Sequence, residues 1–320
     1  MSRKCYVGFD TSNYTTSAAF CDENGRVVAN IREPLFVRGG EVGLRQSDAL
    51  FAHVKNLPSV IDRLREELRS YTPAAVGCST RPRPVEGSYM PCFLAGRAAA
   101  HAFAASAGVP VIYFSHQDGH IMAAACSSGK PERFMEGPFC AFHVSGGTTE
   151  ILQVTPRAGG YDIKLLGGTK DLSAGQAIDR AGVMMGLGFP CGPALEALAA
   201  ANTEKSPKPR VSVRGLECNL SGLENLADEL YTTSQDKNKT AAFVIDFVAV
   251  TLCELTKNLR TQCPGLPVLY AGGVMSNSII KSALSCFDNI YFATPEYSAD
   301  NAAGVALLTR AAAVREGCSL

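Results

Sequence analysis

Two of the chain's five histidines stand four residues apart, in His116-Gln117-Asp118-Gly119-His120. On a helix, positions i and i+4 share one face, so two imidazoles at this spacing can grip one metal ion. Two buried structural histidines would produce the same spacing. Zinc proteases need Glu directly after the first His; here the residue is Gln117, which disfavours proteolysis. A carboxylate donor is on offer in Glu296-Tyr297-Ser298-Ala299-Asp300-Asn301. An internal repeat, described below, gives Asp300 a place similar to that of the His pair, and a carboxylate opposite two His completes a facial metal site. Taken alone, Asp300 reads as a helix N-cap.

Two turns form a second set of candidates. Asp10-Thr11-Ser12-Asn13 and Ser145-Gly146-Gly147-Thr148 each fall between two strand-like runs. Small residues there let backbone N–H groups approach an oxyanion closely. A phosphate held by two related hairpins is the pattern of the sugar kinase, Hsp70 and actin superfamily. Ala271-Gly272-Gly273-Val274-Met275-Ser276-Asn277 follows a buried strand and precedes a helix, a place where a nucleoside can lie against the backbone. The alternative is an ordinary helix start capped by Ser276 or Asn277.

The elements that must position these residues come in two similar series. Strands are predicted at 6–10, 15–20 and 26–31, with a turn at Asp22-Glu23-Asn24-Gly25. Leu50, Val54, Leu57, Ile61, Leu64 and Leu68 recur at helical spacing within 45–70. A short strand at 75–78, a helix at 94–107, a strand at 109–114 and a helix at 116–126 follow. The series then restarts: strands at 139–144, 148–154 and 161–166, a helix at 173–187, a long helix at 240–259, strands at 267–271 and 289–292, and a closing helix at 300–314. Phe9 to Thr16 aligns with Phe142 to Thr149, and Ile112-Tyr113-Phe114 with Ile290-Tyr291-Phe292. The reading is a duplicated α/β domain. One lobe covers 1–130 plus a C-terminal helix at about 300–320, and the other covers 138–299 with an insertion near 190–235. Ligands are expected in the cleft between two such lobes. The polar stretch 126–137 reads as the linker.

Composition sets the limits. The chain has 320 residues, 46% of them hydrophobic, with 30 Lys+Arg against 30 Asp+Glu. That is a globular balance with enough apolar residues for sizeable cores. No apolar run reaches the roughly 18 residues of a membrane span, and no signal peptide is expected at the N-terminus. Zero net charge argues against a self-sufficient nucleic-acid binder, though not against a local patch such as Lys205, Lys208, Arg210 and Arg214. The 12 cysteines are scattered without a Cys-x-x-Cys pair, and read as buried, reduced thiols in a cytoplasmic protein.

The order Asp10-Thr11-Ser12, His116-x-x-x-His120, Val144-Ser145-Gly146-Gly147, Ala174-Gly175-x-Ala177-x-Asp179, Gly188-Phe189-Pro190-x-Gly192-Pro193, Leu220-Ser221-Gly222-Leu223, Ala271-Gly272-Gly273-Val274 and Asp300-Asn301-Ala302-Ala303 resembles the TsaD (Gcp) family over about residues 5–310. These are tRNA threonylcarbamoyladenosine transferases, formerly described as O-sialoglycoprotein endopeptidases. The resemblance implies a two-lobed actin-like ATPase fold with duplicated domains. It implies transfer of threonylcarbamoyl from its adenylate to the adenosine beside the anticodon of tRNA. It implies TsaB-like and TsaE-like protein partners and one divalent metal, iron or zinc. His116, His120 and Asp300 match the family's metal ligands, and with them its catalytic centre. His143, Val144, Ser145, Gly146, Gly147, Asp179, Gly192 and Asn277 match positions that bind ATP or an adenylate; Asp10, Ser12, Gly272 and Gly273 join them from the turns above. Asp179 would hold ribose hydroxyls and the Ser145 to Gly147 amides the phosphate. Archaeal relatives place a Tyr ligand where this chain has His143, which makes His143 a candidate fourth ligand.

The departures point to a diverged paralogue. The family's acidic pair after Thr-Ser is here Asn13-Tyr14, and its Gly-Pro-Gly loop is Arg81-Pro82-Arg83-Pro84-Val85-Glu86-Gly87-Ser88-Tyr89. Thr148 stands where the family has His or Asn, and Glu224 where a basic residue is common. Two alternatives therefore accompany the tRNA reading: a carbamoyl transferase with a different small-molecule acceptor, and a non-catalytic nucleotide-binding protein.

Overall fold

The computed structural model describes residues 3–12, 14–36, 44–157, 160–294 and 302–315. The chain divides into two compact units, unit 1 comprising 1–129, 156–162 and 299–320, and unit 2 comprising 130–155 and 163–298.

Unit 1 is built on a five-stranded sheet. Its strands are β1 (Arg3–Ser12), β2 (Thr15–Asp22), β3 (Val27–Pro34), β4 (Tyr71–Arg81) and β5 (Val111–Ser115), in the order β3-β2-β1-β4-β5. β1 pairs antiparallel with β2 and parallel with β4, which pairs parallel with β5. Alternation along β1 sorts its side chains onto the two faces. Cys5, Val7 and Phe9 enter a core with Leu57, Val60 and Leu64 of α1 (Gln46–Glu67) and Ala100 and Ala104 of α2 (Phe93–Ala107). Gly8 faces α10 (Ala303–Arg315) so closely that a Cβ there would lie 2.4 Å from the Ala306 nitrogen. The helix carrying the His pair, α3 (His116–Ser127), packs on α10 backbone to backbone: a Cβ on Gly304 would fall 1.8 Å from the Gly119 carbonyl oxygen.

The buried stripe of α1 departs from the apolar periodicity. Ala49, His53, Leu57, Val60 and Leu64 face inward, whereas Val54 is 55% exposed. His53 takes the inward position because its Nδ1 lies 2.9 Å from the Thr16 hydroxyl oxygen, which satisfies one ring nitrogen in the core.

Unit 2 holds seven strands in the order β12-β11-β6-β7-β8-β10-β9. They are β6 (Phe139–Val144), β7 (Thr149–Arg157), β8 (Gly160–Thr169), β9 (Ser212–Arg214), β10 (Glu217–Asn219), β11 (Val268–Ala271) and β12 (Ile290–Phe292). Five of them, β8-β7-β6-β11-β12, repeat the strand order of unit 1, with β12 standing in the place of β5. The apolar face of α8 (Lys237–Gln262) packs with Phe142 and Val144 of β6 and Ala177 and Ile178 of α5 (Ala174–Met184) in one core. The stretch expected as an insertion contributes α6 (Gly192–Ala200), β9, β10 and α7 (Gly222–Ser234), and places Leu195, Leu220 and Leu223 in that core. Residues 203–210 within it carry no regular element. The stretch expected as a linker belongs to unit 2 from Lys130 onward and contains the short α4 (Glu132–Met135), whose fully buried Phe134 meets the edges of Phe139 and Tyr291 at 4.9 and 5.2 Å. Among the described residues no helix is long and apolar enough to cross a membrane.

Candidate functional site

The site residues of unit 1 collect where its parallel strands end. Phe9 pairs with Cys78 and Ser79 with Phe114, so Asp10, Ser79 and Ser115 lie near the carboxyl ends of three neighbouring strands. Carboxyl ends of strands are where α/β folds hold ligands. Ser115 starts α3 through a capping box. Its hydroxyl accepts from the Asp118 N–H at 3.1 Å, and the Asp118 carboxylate accepts from the Ser115 N–H at 2.9 Å. Asp118 also accepts from the Tyr161 N–H at 3.0 Å, which fixes the first turn of the helix.

His116 opens that turn and His120 follows one turn later. Their Nε2 atoms converge to 2.8 Å. On the other side of the His116 ring, Nδ1 lies 3.0 Å from Asp10 Oδ1, and the Ser79 hydroxyl donates to the same oxygen. Asp10 and Ser79 are both fully buried. The rebuilt loop after β4 is fastened to this turn, because the Gln117 N–H donates to the Pro82 carbonyl at 3.0 Å. Arg81 and Arg83 are exposed on either side of that anchor.

This donor set fits a divalent metal such as zinc or iron: two imidazole nitrogens point at one place, and a carboxyl group backs one of the rings. Among the described residues no group of three or more His, Cys, Asp and Glu is placed to hold a metal, so a further donor is required. Asp300 lies outside the described residues. Nearby Cys78 is no substitute: burial pushes its thiol up to about 12, well away from the thiolate that binds metals at neutral pH.

The second group lies in unit 2. The turn from Ser145 to Thr148 is closed by the Ser145 N–H donating to the Thr148 carbonyl at 2.8 Å and the Thr148 N–H donating to the Ser145 hydroxyl at 3.1 Å. Gly146 and Gly147 are exposed, and a Cβ on either would meet nothing within 4 Å. The start of α5 presses against this loop: the Ser173 hydroxyl donates to the Gly146 carbonyl at 2.6 Å, the Gly175 N–H donates to the Ser145 carbonyl at 3.2 Å, and a Cβ on Gly175 would lie 2.6 Å from the Gly146 Cα. From the other side, Gly272 sits at φ 103° with its would-be Cβ 2.3 Å from the Val144 carbonyl oxygen, a position only Gly fills. Gly273, like Gly192 at the start of α6, opens onto free space. Asp179 half-buries its carboxylate and accepts from the Cys191 N–H at 2.8 Å, joining α5 to the loop before α6. The Asn277 side-chain oxygen caps α9 (Ser278–Leu284) by accepting from the Ile279 and Ile280 N–H groups at 3.1 and 3.0 Å.

The two turns that align in sequence differ in register. Ser12 pairs directly with Thr15, so the unit 1 turn is tight and Ser12 is buried. In unit 2 the pairing stops at Val144 and Thr149, which leaves four residues free to form a loop. The structure thus brings Asp10, His116 and His120 together in unit 1, and Val144, Ser145, Gly146, Gly147 and Gly272 together in unit 2. His143 stands on β6 of unit 2, opposite Glu150. Sequence reading missed Ser79, which no local pattern marks, and Ser173, whose Ser-x-x-Gln spacing to Gln176 is a legible capping box. It also missed Asp171. Burial pushes that carboxyl up, but the N–H groups of Leu220, Leu172 and Ser221 and the Ser221 hydroxyl outweigh burial and hold it well below the usual carboxylate range. Asp171 thereby fixes the loop entering α5 to the loop entering α7.

The family model for TsaD, tRNA N6-adenosine threonylcarbamoyltransferase, matches residues 43–307. The chain belongs to the TsaD family. A relative of that description from Vesicomyosocius okutanii subsp. Calyptogena okutanii is 35% identical over 224 residues, 67% of this chain and 63% of the relative. The match therefore spans less than two thirds of that TsaD protein's length. Among solved structures, T. kodakarensis HypF has a TM-score of 0.60 at 13% identity, covering 99% of this chain and 48% of that one. Component A of (R)-2-hydroxyglutaryl-CoA dehydratase from Acidaminococcus fermentans has a TM-score of 0.54 at 14% identity, covering 97% and 99%. These likenesses carry the fold alone, which is the actin-like ATPase fold with its duplicated sheet.

Proposed function

We propose that this chain, like its TsaD relatives, transfers threonylcarbamoyl from its adenylate to the exocyclic amine of the adenosine beside the anticodon of tRNA. The observation that carries the reading is the convergence of the His116 and His120 Nε2 atoms at 2.8 Å, backed by the buried Asp10. In this reading His116, His120 and Asp300, all on unit 1, hold one iron or zinc ion. Bound there, the metal supplies a Lewis acid and a template for the acyl group.

The chain's own residues do the rest. Gly146 and Gly147 are exposed, and in this reading their amides donate to the adenylate phosphate. Asp179 takes the ribose hydroxyls, and Gly192, Gly272, Gly273 and Asn277 border the nucleoside, with His143 and Val144 at the end of β6 leading into the loop. In unit 1, Ser12 marks the counterpart turn. The amine nitrogen forms a bond to the carbamoyl carbon as the bond from that carbon to the phosphate oxygen breaks, AMP leaves, and the proton the amine gives up passes to water. Donors fixed on the departing phosphate stabilise charge that develops in the transition state. Zero net charge suits a subunit that works with TsaB-like and TsaE-like partners in the cytoplasm.

A second reading, transfer to another acceptor, is favoured by the Arg81 to Tyr89 loop, which is anchored beside the His pair through Pro82. One assay separates the two. Purified chain is given threonylcarbamoyl adenylate, unmodified tRNA and candidate partners, and the digested tRNA is read by mass spectrometry. A threonylcarbamoyladenosine peak that vanishes in His116→Ala supports the tRNA reading. Adenylate consumption with no modified nucleoside, while a housekeeping TsaD succeeds in parallel, overturns it in favour of another acceptor.

A further inference from the structure

We infer that Asp10, held by Ser79, is a positioning residue that fixes the tautomer of His116 and so presents the Nε2 lone pair to the metal; this rests on the metal reading above. The argument is a proton count. A carboxyl oxygen that already receives a hydroxyl hydrogen acts as an acceptor. Asp10 Oδ1 receives the Ser79 hydroxyl and faces His116 Nδ1 at 3.0 Å. The atom on the imidazole side must therefore carry the hydrogen. A neutral imidazole has one ring proton, so Nδ1–H leaves Nε2 as a bare lone pair, and Nε2 is the atom that points toward His120. The opposite tautomer would set a lone pair against a carboxylate oxygen and a proton where the metal belongs.

The fold makes this arrangement rigid. Asp10, Ser79 and the Ser115 cap of α3 lie near the carboxyl ends of three adjacent parallel strands, so sheet hydrogen bonds set their spacing. Asp10 and Ser79 are 0% exposed, which keeps water from competing for the carboxylate. Burial also makes Asp10 a poor direct partner for a phosphate: it is an acceptor facing an acceptor, inside β1 where it pairs with Ser17. Its place behind an imidazole gives the carboxylate a different use from the one its turn motif suggests. A ligating His that donates its other N–H to a carboxylate binds metal more tightly by about 10–100-fold.

The test uses full-length protein labelled with 15N-histidine. NMR of the metal-free chain reads the His116 tautomer, and calorimetry reads cobalt(II) affinity. Three variants are compared: Asp10→Ala, which removes the acceptor; Asp10→Asn, which keeps an oxygen but discards the charge; and Ser79→Ala. Wild-type His116 is expected as Nδ1–H. Asp10→Ala should populate Nε2–H and lose about 10–100-fold in cobalt affinity. Asp10→Asn should fall in between, a graded rescue that a purely structural role would not give. A wild-type His116 protonated on Nε2, or a folded Asp10→Ala with wild-type tautomer and affinity, overturns the inference. If Asp10→Ala does not fold, unchanged affinity in both Asp10→Asn and Ser79→Ala overturns it. Wild-type protein that takes up no cobalt overturns the metal reading and this inference together, a result distinct from failure in the variants alone.

Discussion

The Ser173 hydroxyl donates to the Gly146 carbonyl at 2.6 Å and accepts from the Gln176 N–H at 3.2 Å. One side chain thus caps α5 and holds the glycine loop against the helix start. Replacing Ser173 with Ala removes both bonds. Loss of an N-cap costs about 1 kcal/mol, which urea unfolding will read. The loosened loop should also bind adenine nucleotide roughly tenfold less tightly, a change of about 1.4 kcal/mol measurable by calorimetry. A loss of stability with unchanged nucleotide affinity would separate the cap from the loop.

His53 makes stability depend on pH in a defined direction. Burial lowers its pKa, an effect only partly offset by the Ser12 backbone and the Asp10 charge. In the unfolded chain the imidazole takes its proton near about pH 6.5. The folded chain takes it only at lower pH, so in that interval the unfolded state binds more protons. Stability is therefore full above about pH 6.5 and falls as pH drops below it. The unfolding midpoint, followed from about pH 7.5 to 5.5, should decline in wild type and decline less in His53→Gln.

Gly304 is expected to tolerate no side chain. Its would-be Cβ lies 1.8 Å from the Gly119 carbonyl oxygen, and backbone cannot step aside as a flexible side chain can. Gly304→Ala should cost about 1–3 kcal/mol or more as α10 lifts from α3. Because α3 carries His116 and His120, metal uptake should fall with it. Gly137→Ala, whose Cβ would meet nothing within 4 Å, is the control and should change neither.

What could be read from the sequence was what depends on near neighbours. The His116 to His120 spacing, the glycine turns and most strands are local patterns, and they stand where expected. The apolar series in α1 gave the helix but not its inward face, since Leu and Val at 3–4 spacing cannot reveal that His53 has a hydroxyl partner at Thr16, 37 positions away. α6 and α7 went unseen for a different reason. α6 is short and preceded by Pro190, and the Leu223, Ala227 and Leu230 spacing of α7 was hidden in a stretch read as an insertion. The bonds from Ser79 and His116 to Asp10 span 69 and 106 positions, and only the pairing of β1 with β4 and β4 with β5 closes those distances.

The glycine-on-glycine crossing of α3 and α10 also fixes an order of events. A ribosome makes β1, β4, β5 and α3 early, but almost all of unit 2 is synthesised between Gly119 and Gly304. During that interval the face of β1 at Gly8 and the backbone of Gly119 wait uncovered for a helix not yet made. Unit 2, nearly continuous in the chain, has its whole core in hand before α10 emerges, and domains with complete cores fold as they leave the ribosome. In chain order, therefore, the half with the glycine loop has all its segments first, and the half with the two imidazoles is completed only by α10, which closes it like a keystone.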